Sequence, residues 1–378
     1  MIQLDFHKEL EAAEHIVLQA AALTKKVLSS VQELSKADAS PVTVADFAAQ
    51  ALIIGSLRRA FPRDAFVGEE DAAALRADPA LRARVVELVR AAGAAGVAAV
   101  SEDEVLEWID LGGKGRGGRQ GRFWVMDPVD GTATFLRGEQ YAVALALVED
   151  GREVLGVVCC PNLRPRGGRV REDSVDEGGM GVMISAVRGQ GAMLRVLADT
   201  TAAAAATTTT TSTSGGGGGG GGGGRVAGVL PEPQPLPRLE APRDLAGVHI
   251  VDYERAAAVA AATGAKGVGE RLAERMGAAY PGTRVWSSHV RYAALALGGG
   301  HVLLRVPKPG ASSYIWDHAG AQLIFREMGG KVTDLEGNEI DFGRGRELQG
   351  NWGLLATVGD IHGEVLKLLR EVLQETES

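Results

Sequence analysis

Cysteine is nearly absent from this chain. Its 378 residues include two, Cys159 and Cys160, and adjacent residues of a strand point to opposite faces, so the pair is badly placed for a disulfide. They read as two small buried hydrophobes of a protein kept in a reducing compartment. No cysteine or histidine cluster has the spacing of a zinc site. Long apolar runs are also missing; none approaches the ~20 residues of a membrane span, which argues against a membrane partner. There is no excess of basic charge. Forty Lys and Arg against 48 Asp and Glu leave a net charge of -8, and nucleic-acid polymers are bound by basic surfaces. A small phosphorylated substrate stays open, because bound metal ions reverse the local field of an acidic site. A targeting leader is not evident either. Asp5, Glu9, Glu11 and Glu14 crowd the first turns, where a signal peptide has basic and then apolar residues and a transit peptide avoids acids. The expectation is a cytoplasmic protein, with an organellar leader absent from this chain left open.

Apolar residues make up 45% and charged residues 23%, the balance of a globular protein with a substantial core. The length suits two packed domains or one large layered unit. Apolar spacing predicts a long amphipathic helix over 7–34 and a second from about Val44 to Ala60. A short strand, Ala65–Gly68, leads into Glu69-Glu70. Residues 72–104 read as Ala-rich helix, and the glycine-rich 112–121 as a loop. Phe123–Met126 reads as a strand ending at Asp127-Pro128. Two β-rich runs, 141–148 and 154–159, are joined by Glu149-Asp-Gly-Arg152, a hairpin signal. Residues 201–224 run from alanines through threonines to ten consecutive glycines, and such a tract lacks the apolar surface to offset its ordering entropy. Pro231, Pro233, Pro235 and Pro237 continue it in extended form. Beyond Leu245 strands and helices alternate again, including a helix opened by Asp317 and closed by Gly329-Gly330. The intermixture indicates layered α/β. It divides the chain into an N-terminal α+β unit (1–197), a low-complexity insert with a proline-rich linker (198–244) and a C-terminal α/β unit (245–378).

The segment richest in chemistry is Phe123-Trp-Val-Met-Asp127-Pro-Val129-Asp130-Gly131-Thr132. Pro128 turns the chain, so that Asp127, Asp130 and the Val129 carbonyl could share one pocket, a hard-oxygen set suited to magnesium. Gly131 permits close approach of a ligand, and the Gly131 and Thr132 amides, opening a helical turn, could hold a phosphate oxygen. Asp46, Glu69 and Asp317 occur in Val42-Thr-Val-Ala-Asp46, Val67-Gly-Glu69-Glu70 and Trp316-Asp317-His-Ala-Gly320. Taken singly, helix capping would account for Asp46 and Asp317, and a solvated turn for Glu69.

Together these four segments resemble the lithium-sensitive, magnesium-dependent phosphatases of the inositol monophosphatase superfamily. The resemblance runs from about Asp5 to Leu369. Ser40-Pro-Val-Thr-Val-Ala-Asp46, Phe135-Leu-Arg-Gly-Glu-Gln-Tyr-Ala-Val143 and Ile315-Trp-Asp-His318 are most similar to the 3'(2'),5'-bisphosphate nucleotidases within it. The resemblance implies an αβαβα sandwich with the site in a cleft between the two units. It implies two or three magnesium ions bound by Glu69, Asp127, Asp130, Asp317 and the Val129 carbonyl. Asp46 and Thr132 would orient or deprotonate the attacking water, while Gly131, Thr132, Ser288, Arg291 and Arg305 would contact substrate. The implied reaction converts adenosine 3',5'-bisphosphate to AMP and phosphate, with 3'-phosphoadenosine 5'-phosphosulfate as a second substrate, in a monomer or homodimer of sulfur metabolism. Two departures stand out: Arg291 replaces the family's usual Lys, a fork in place of a point charge, and Glu254-Arg-Ala-Ala-Ala258 lacks the usual His and Ser. An inositol or sugar phosphate phosphatase of the same superfamily remains one alternative, and a non-catalytic regulatory protein on the same fold another.

Overall fold

A computed structural model describes residues 5–33, 41–92, 97, 99–164, 168–197, 230–252, 266–308 and 311–377. The low-complexity tract 201–224 and the Glu254–Ala258 run lie outside the described residues.

Helix α1 (His7–Glu33) and helix α2 (Pro41–Ala60) pack together over one face of a large sheet. On α1 the buried side chains include Ala13, Ile16, Val17, Ala20, Ala21, Thr24, Val27 and Leu28, the repeat of three and four that keeps one face of a helix on a core. Helix α2 is buried nearly all round, from Val44 through Leu57, because α1, the sheet and two further helices enclose it. Two polar residues one turn apart, Asp46 and Gln50, are buried with it.

Strand β1 (Ala65–Gly68) is followed by helices α3 (Ala73–Ala77), α4 (Pro79–Ala91) and α5 (Glu102–Gly113). The Ala-rich stretch is thus broken into separate helices, and part of the expected glycine loop is the last turn of α5. Ser101 and Glu104 cap each other's backbone at its start, a reciprocal pair that fixes where a helix begins. Strand β2 (Arg122–Asp130), helix α6 (Thr132–Leu136), and strands β3 (Ala142–Glu149), β4 (Arg152–Cys160), β5 (Val182–Val187), β6 (Ala192–Val196) and β7 (Gln234–Pro235) complete the unit. The seven strands lie side by side in chain order, β1 parallel to β2 and the rest antiparallel. The proline segment is extended, as expected, and is fastened to the sheet: Gln234-Pro235 pairs with β6 at its edge, where a strand tolerates proline.

Strands β3 and β4 are buried on both faces, because helices cover the sheet on either side. Cys159 belongs to the core under α1 and α2, and Cys160 to the core on the opposite face. Both are free, and burial pushes the Cys159 thiol up to about 12, which leaves it unreactive.

The remainder contributes strand β8 (Ile250–Asp252), helix α7 (Val268–Met276), strand β9 (Thr283–Arg284), helix α8 (Ser288–Leu297), strand β10 (Val302–Arg305), helix α9 (Ala319–Glu327), strands β11 (Lys331–Thr333) and β12 (Leu354–Thr357), and helix α10 (His362–Glu377). A second sheet has the order β11-β12-β10-β8-β9. Helices α8 and α9 fill the space between the two sheets, and α7 and α10 cover the far side of the smaller one. The layers therefore run helix, sheet, helix, sheet, helix, the expected αβαβα sandwich. Helix α9 sits close against β4 because Gly156 faces the backbone of Gly320; a Cβ at Gly156 would lie 2.4 Å from the Gly320 carbonyl oxygen. That contact seats the turn carrying Asp317 beside the large sheet.

Candidate active site

Strand β2 does not stop at Asp127-Pro128 but continues to Asp130. Residues three apart in a regular strand point to opposite faces. Here Asp127 is opposite Ala144 and Asp130 opposite Ala142, so β2 spends one residue more than its partner. That β-bulge reverses the alternation and brings both carboxylates to the same side. Pro128 lies within the bulge, a site that accepts a residue with no N–H.

Asp317 completes a cluster with these two; carboxylate oxygens of Asp127, Asp130 and Asp317 all lie within 4.8 Å of one another. Asp317 is not a helix cap. Helix α9 begins at Ala319 after His318, and Asp317 lies in the turn before it. Asp46 is not a cap either, since α2 begins five residues earlier at Pro41. Glu69 follows the end of β1 and joins Asp127, Val129, Asp130, Gly131, Thr132, Ser288, Arg291, Arg305 and Asp317 around one cleft of about 850 Å³. Asp46 is buried rather than cleft-lining and acts on Asp127 by charge. A larger hollow of about 1040 Å³ contains none of these residues; several of its cations are committed to its own acids, as in Arg58–Glu107 and Arg76–Asp110.

Asp130 fastens the layers together. Its carboxylate accepts from the Ser287 hydroxyl (2.5 Å) and from the Ser288 (3.1 Å) and His289 (2.6 Å) amides at the start of α8. Anions are stabilised at such a helix start. His289 Nε2 lies 2.8 Å from the Trp316 carbonyl, to which it donates, so α8 also steadies the Asp317 turn. Gln50 holds the strand exit from below, donating to the Glu70 carbonyl (2.6 Å) and accepting from its amide (3.0 Å). Gly131 has φ +98°, a conformation costly for other residues, and the short helix α6 opens directly after it. Arg291, buried, donates to the Ser288 hydroxyl at 2.8 Å, and Arg305 lies 3.5 Å from Asp317.

The electrostatics are those of a site short of positive charge. Burial, then repulsion from Glu69, Asp130, Asp317 and Asp46, holds Asp127 well above the usual carboxylate range. Burial, then Glu70 and Glu69, does the same to Asp46. Glu69 remains exposed on the cleft side, yet loss of surrounding water followed by repulsion from Glu70, Asp317 and Asp130 pushes it up to about 8. Asp317 is raised by burial and Asp130, against the pull of Arg305. Asp127 Oδ1 is buried with no hydrogen-bond partner among the described residues. A buried acceptor without a donor costs about 1–3 kcal/mol, and a divalent cation among all-oxygen ligands would satisfy it. The residues present fit magnesium.

Sequence reasoning overlooked Ser287, His289, Gln50 and the Tyr280–Asp252 pair that lines the cleft with a 2.7 Å hydrogen bond. Ser287 had a legible signal: its hydroxyl accepts from Val290, an N-cap ahead of an apolar helix. The others act across long separations that leave no local pattern.

The all-oxygen carboxylate cluster opens into the cleft of an αβαβα sandwich, a donor set that suits a divalent cation, and the chain belongs to the inositol monophosphatase family, whose model matches residues 5–216 and 245–374. Its curated relatives narrow the class. A 3'(2'),5'-bisphosphate nucleotidase of Emericella nidulans is 36% identical, covering 98% of this chain and 100% of the relative. One of Schizosaccharomyces pombe is 34% identical, covering 96% and 95%. Among solved structures, inositol monophosphatase-II of Staphylococcus aureus shares the fold with a TM-score of 0.54 at 16% identity, covering 97% of this chain and 93% of that one. Among the described residues no helix is long and apolar enough to cross a membrane.

Proposed function

We propose that this protein is a magnesium-dependent 3'(2'),5'-bisphosphate nucleotidase that hydrolyses the 3'-phosphate of adenosine 3',5'-bisphosphate to AMP and phosphate. The observation that carries the proposal is the Asp127–Asp130–Asp317 cluster, with its orphaned Asp127 oxygen, facing Ser288 and Arg291 across one cleft. The full-length likeness to bisphosphate nucleotidases supports the substrate.

Asp127, Asp130, Asp317, Glu69 and the Val129 carbonyl would hold two or three magnesium ions. Bound magnesium would supply positive charge to the phosphate and the leaving oxygen and acidify the attacking water. Asp46, buried behind the cleft, would take or relay the proton of the attacking water: burial, then Glu70 and Glu69, raises its proton affinity. Thr132, whose hydroxyl lies 3.4 Å from the Val129 carbonyl, orients the water, and the Gly131 and Thr132 amides receive a phosphate oxygen. Ser288 and Arg291 bind the second phosphate by charge-assisted hydrogen bonds. Arg305 restrains Asp317 and adds positive charge on the substrate side. The division of labour would follow the chain, with residues 1–197 supplying most metal ligands and the phosphate-binding amides, 245–378 the remaining substrate contacts and Asp317, and 198–244 the connection. A cytoplasmic monomer or homodimer accords with the two unpaired cysteines.

The test is phosphate release from adenosine 3',5'-bisphosphate, AMP and inositol 1-phosphate, with and without Arg291→Ala. The bisphosphate is expected to have the highest kcat/KM, and the substitution to weaken it while sparing the monophosphates. A preference for inositol 1-phosphate, or an equal loss on all three, overturns the nucleotidase reading.

A further inference from the structure

Arg346 follows Gly345 in a segment that pairs with the chain leading into Asp317. The Ile315 amide donates to the Arg346 carbonyl (3.0 Å), the Leu348 amide to the Ser313 carbonyl (2.8 Å), and Tyr314 bridges to Glu347. The Arg346 guanidinium lies over the Trp316 ring, 4.6 Å from its centroid. Trp316 is itself stacked on Tyr314 at 4.5 Å and 7°. Nη2 donates to the Gly68 carbonyl (2.7 Å), and Nη1 to the carbonyls of Gly112 (2.9 Å) and Gly115 (3.0 Å). Gly68 and Trp316 are the residues immediately before Glu69 and Asp317. One side chain therefore grips the backbone ahead of the first acid and the ring ahead of the second. It does so from a half-buried position with no salt bridge within 4 Å among the described residues: its direct contacts are three neutral carbonyls and an aromatic face, and its charge reaches Glu69 and Asp71 only at longer range.

We propose that Arg346 is a positioning residue for the cation site, clamping the turn that carries Glu69 to the turn that carries Asp317. The inference rests on the reading that these carboxylates hold magnesium. Like charges drive the two turns apart whenever no cation lies between them, and at the strand exit Arg346 adds to the hold of Gln50 and of the β1–β2 pairing. A fork that fills three carbonyls from above an aromatic ring is a task for arginine; lysine offers a point charge on a flexible stem. The clamp keeps both acids at the cleft before the cation arrives, which lowers the reorganisation that binding requires.

The test measures Mn²⁺ binding to metal-free protein by calorimetry, alongside the KM for adenosine 3',5'-bisphosphate at saturating magnesium. Arg346→Lys is expected to weaken Mn²⁺ binding about tenfold or more while leaving that KM within about twofold. In a Glu69→Gln background the same substitution should cost much less, because the acid it positions no longer contributes a charge. Wild-type Mn²⁺ affinity in Arg346→Lys, an undiminished loss in the Glu69→Gln background, or a raised KM at saturating magnesium overturns the clamp. If Arg346→Lys does not fold, Trp316→Leu, which removes the face under the guanidinium, decides: a roughly threefold loss of Mn²⁺ affinity supports the proposal and no loss overturns it. No Mn²⁺ binding by the unsubstituted protein would overturn the metal reading and the clamp with it.

Discussion

Asp127→Asn should make the metal-free protein more stable and the enzyme nearly inactive. Asp127 is buried within 4.8 Å of two further carboxylates. Two unit charges at that separation repel by about 3 kcal/mol at an effective dielectric near 20, and partial protonation reduces that figure. Asparagine removes the charge, keeps the volume, and presents an N–H group to Asp130 and Asp317. A gain of about 1–2 kcal/mol in chelator would raise the melting temperature by roughly 1–3 °C. Magnesium reverses the order. At a hundredfold excess over its dissociation constant it stabilises the unsubstituted protein by about 2.7 kcal/mol, and the variant, having lost the ligand central to the cluster, should gain almost nothing. Turnover should fall at least about tenfold, a barrier increase of 1.4 kcal/mol or more. Differential scanning fluorimetry in EDTA and in magnesium, with phosphate release on the same samples, reads all three quantities. A variant less stable than its parent in EDTA, or one that keeps the magnesium shift, refutes the argument that these carboxylates are arranged for a cation.

His362, buried between Thr333 (2.9 Å) and Thr357 (3.0 Å), is pushed down to about 4 by burial and then Lys331. The unfolded chain takes up this proton near pH 6.5 and the folded one resists to about 4, so its contribution is intact above 6.5 and is lost as pH falls through that window, by about 3 kcal/mol. His362→Gln should flatten the acid limb of the stability profile measured by urea titration; an unchanged slope between pH 6.5 and 4 would contradict the assignment. Deleting 202–224 should leave melting temperature and activity nearly unchanged. The flanks at Leu197 and Pro231 are anchored side by side through β6 and β7, and loop-closure entropy changes slowly with length; a large loss of either would show a working part there. Submillimolar to millimolar lithium should inhibit at constant magnesium, as expected of the lithium-sensitive group, and indifference to tens of millimolar would count against membership in it.

Local pattern was enough where the chemistry is local. The Asp127-to-Thr132 string, the hairpin at Asp150-Gly151 and the long helices α1 and α2 depend on neighbours in sequence, and the structure has them. The means by which Asp127 and Asp130 face the same side was misread as a turn ending the strand, because a bulge is defined by the partner strand and has no residue signature of its own. Asp46 and Asp317 were expected near helix starts; the actual starts, Pro41 and Ala319, turn one into a buried mid-helix acid and the other into a turn residue. Strands β6, β7, β11 and β12 are two to five residues long and are stabilised by pairing rather than by their own periodicity. Arg346 was invisible for the plainest reason: its carbonyl partners lie 231 to 278 residues away along the chain.

Tolerance to insertion and deletion is therefore expected to be very uneven along this gene. Between β6 and β7 codons of the low-complexity tract should be gained or lost with little effect on the cleft, because the flanks are already zipped together. Between Asp127 and Asp130 a single codon is decisive. Adding one while the bulge persists turns one of the two acids to the other face of the sheet; losing one leaves the acids two apart, on one face of a regular strand, but removes the bulge that bends the chain into Gly131 and α6. The composition there could drift by conservative exchange, but the count of residues cannot.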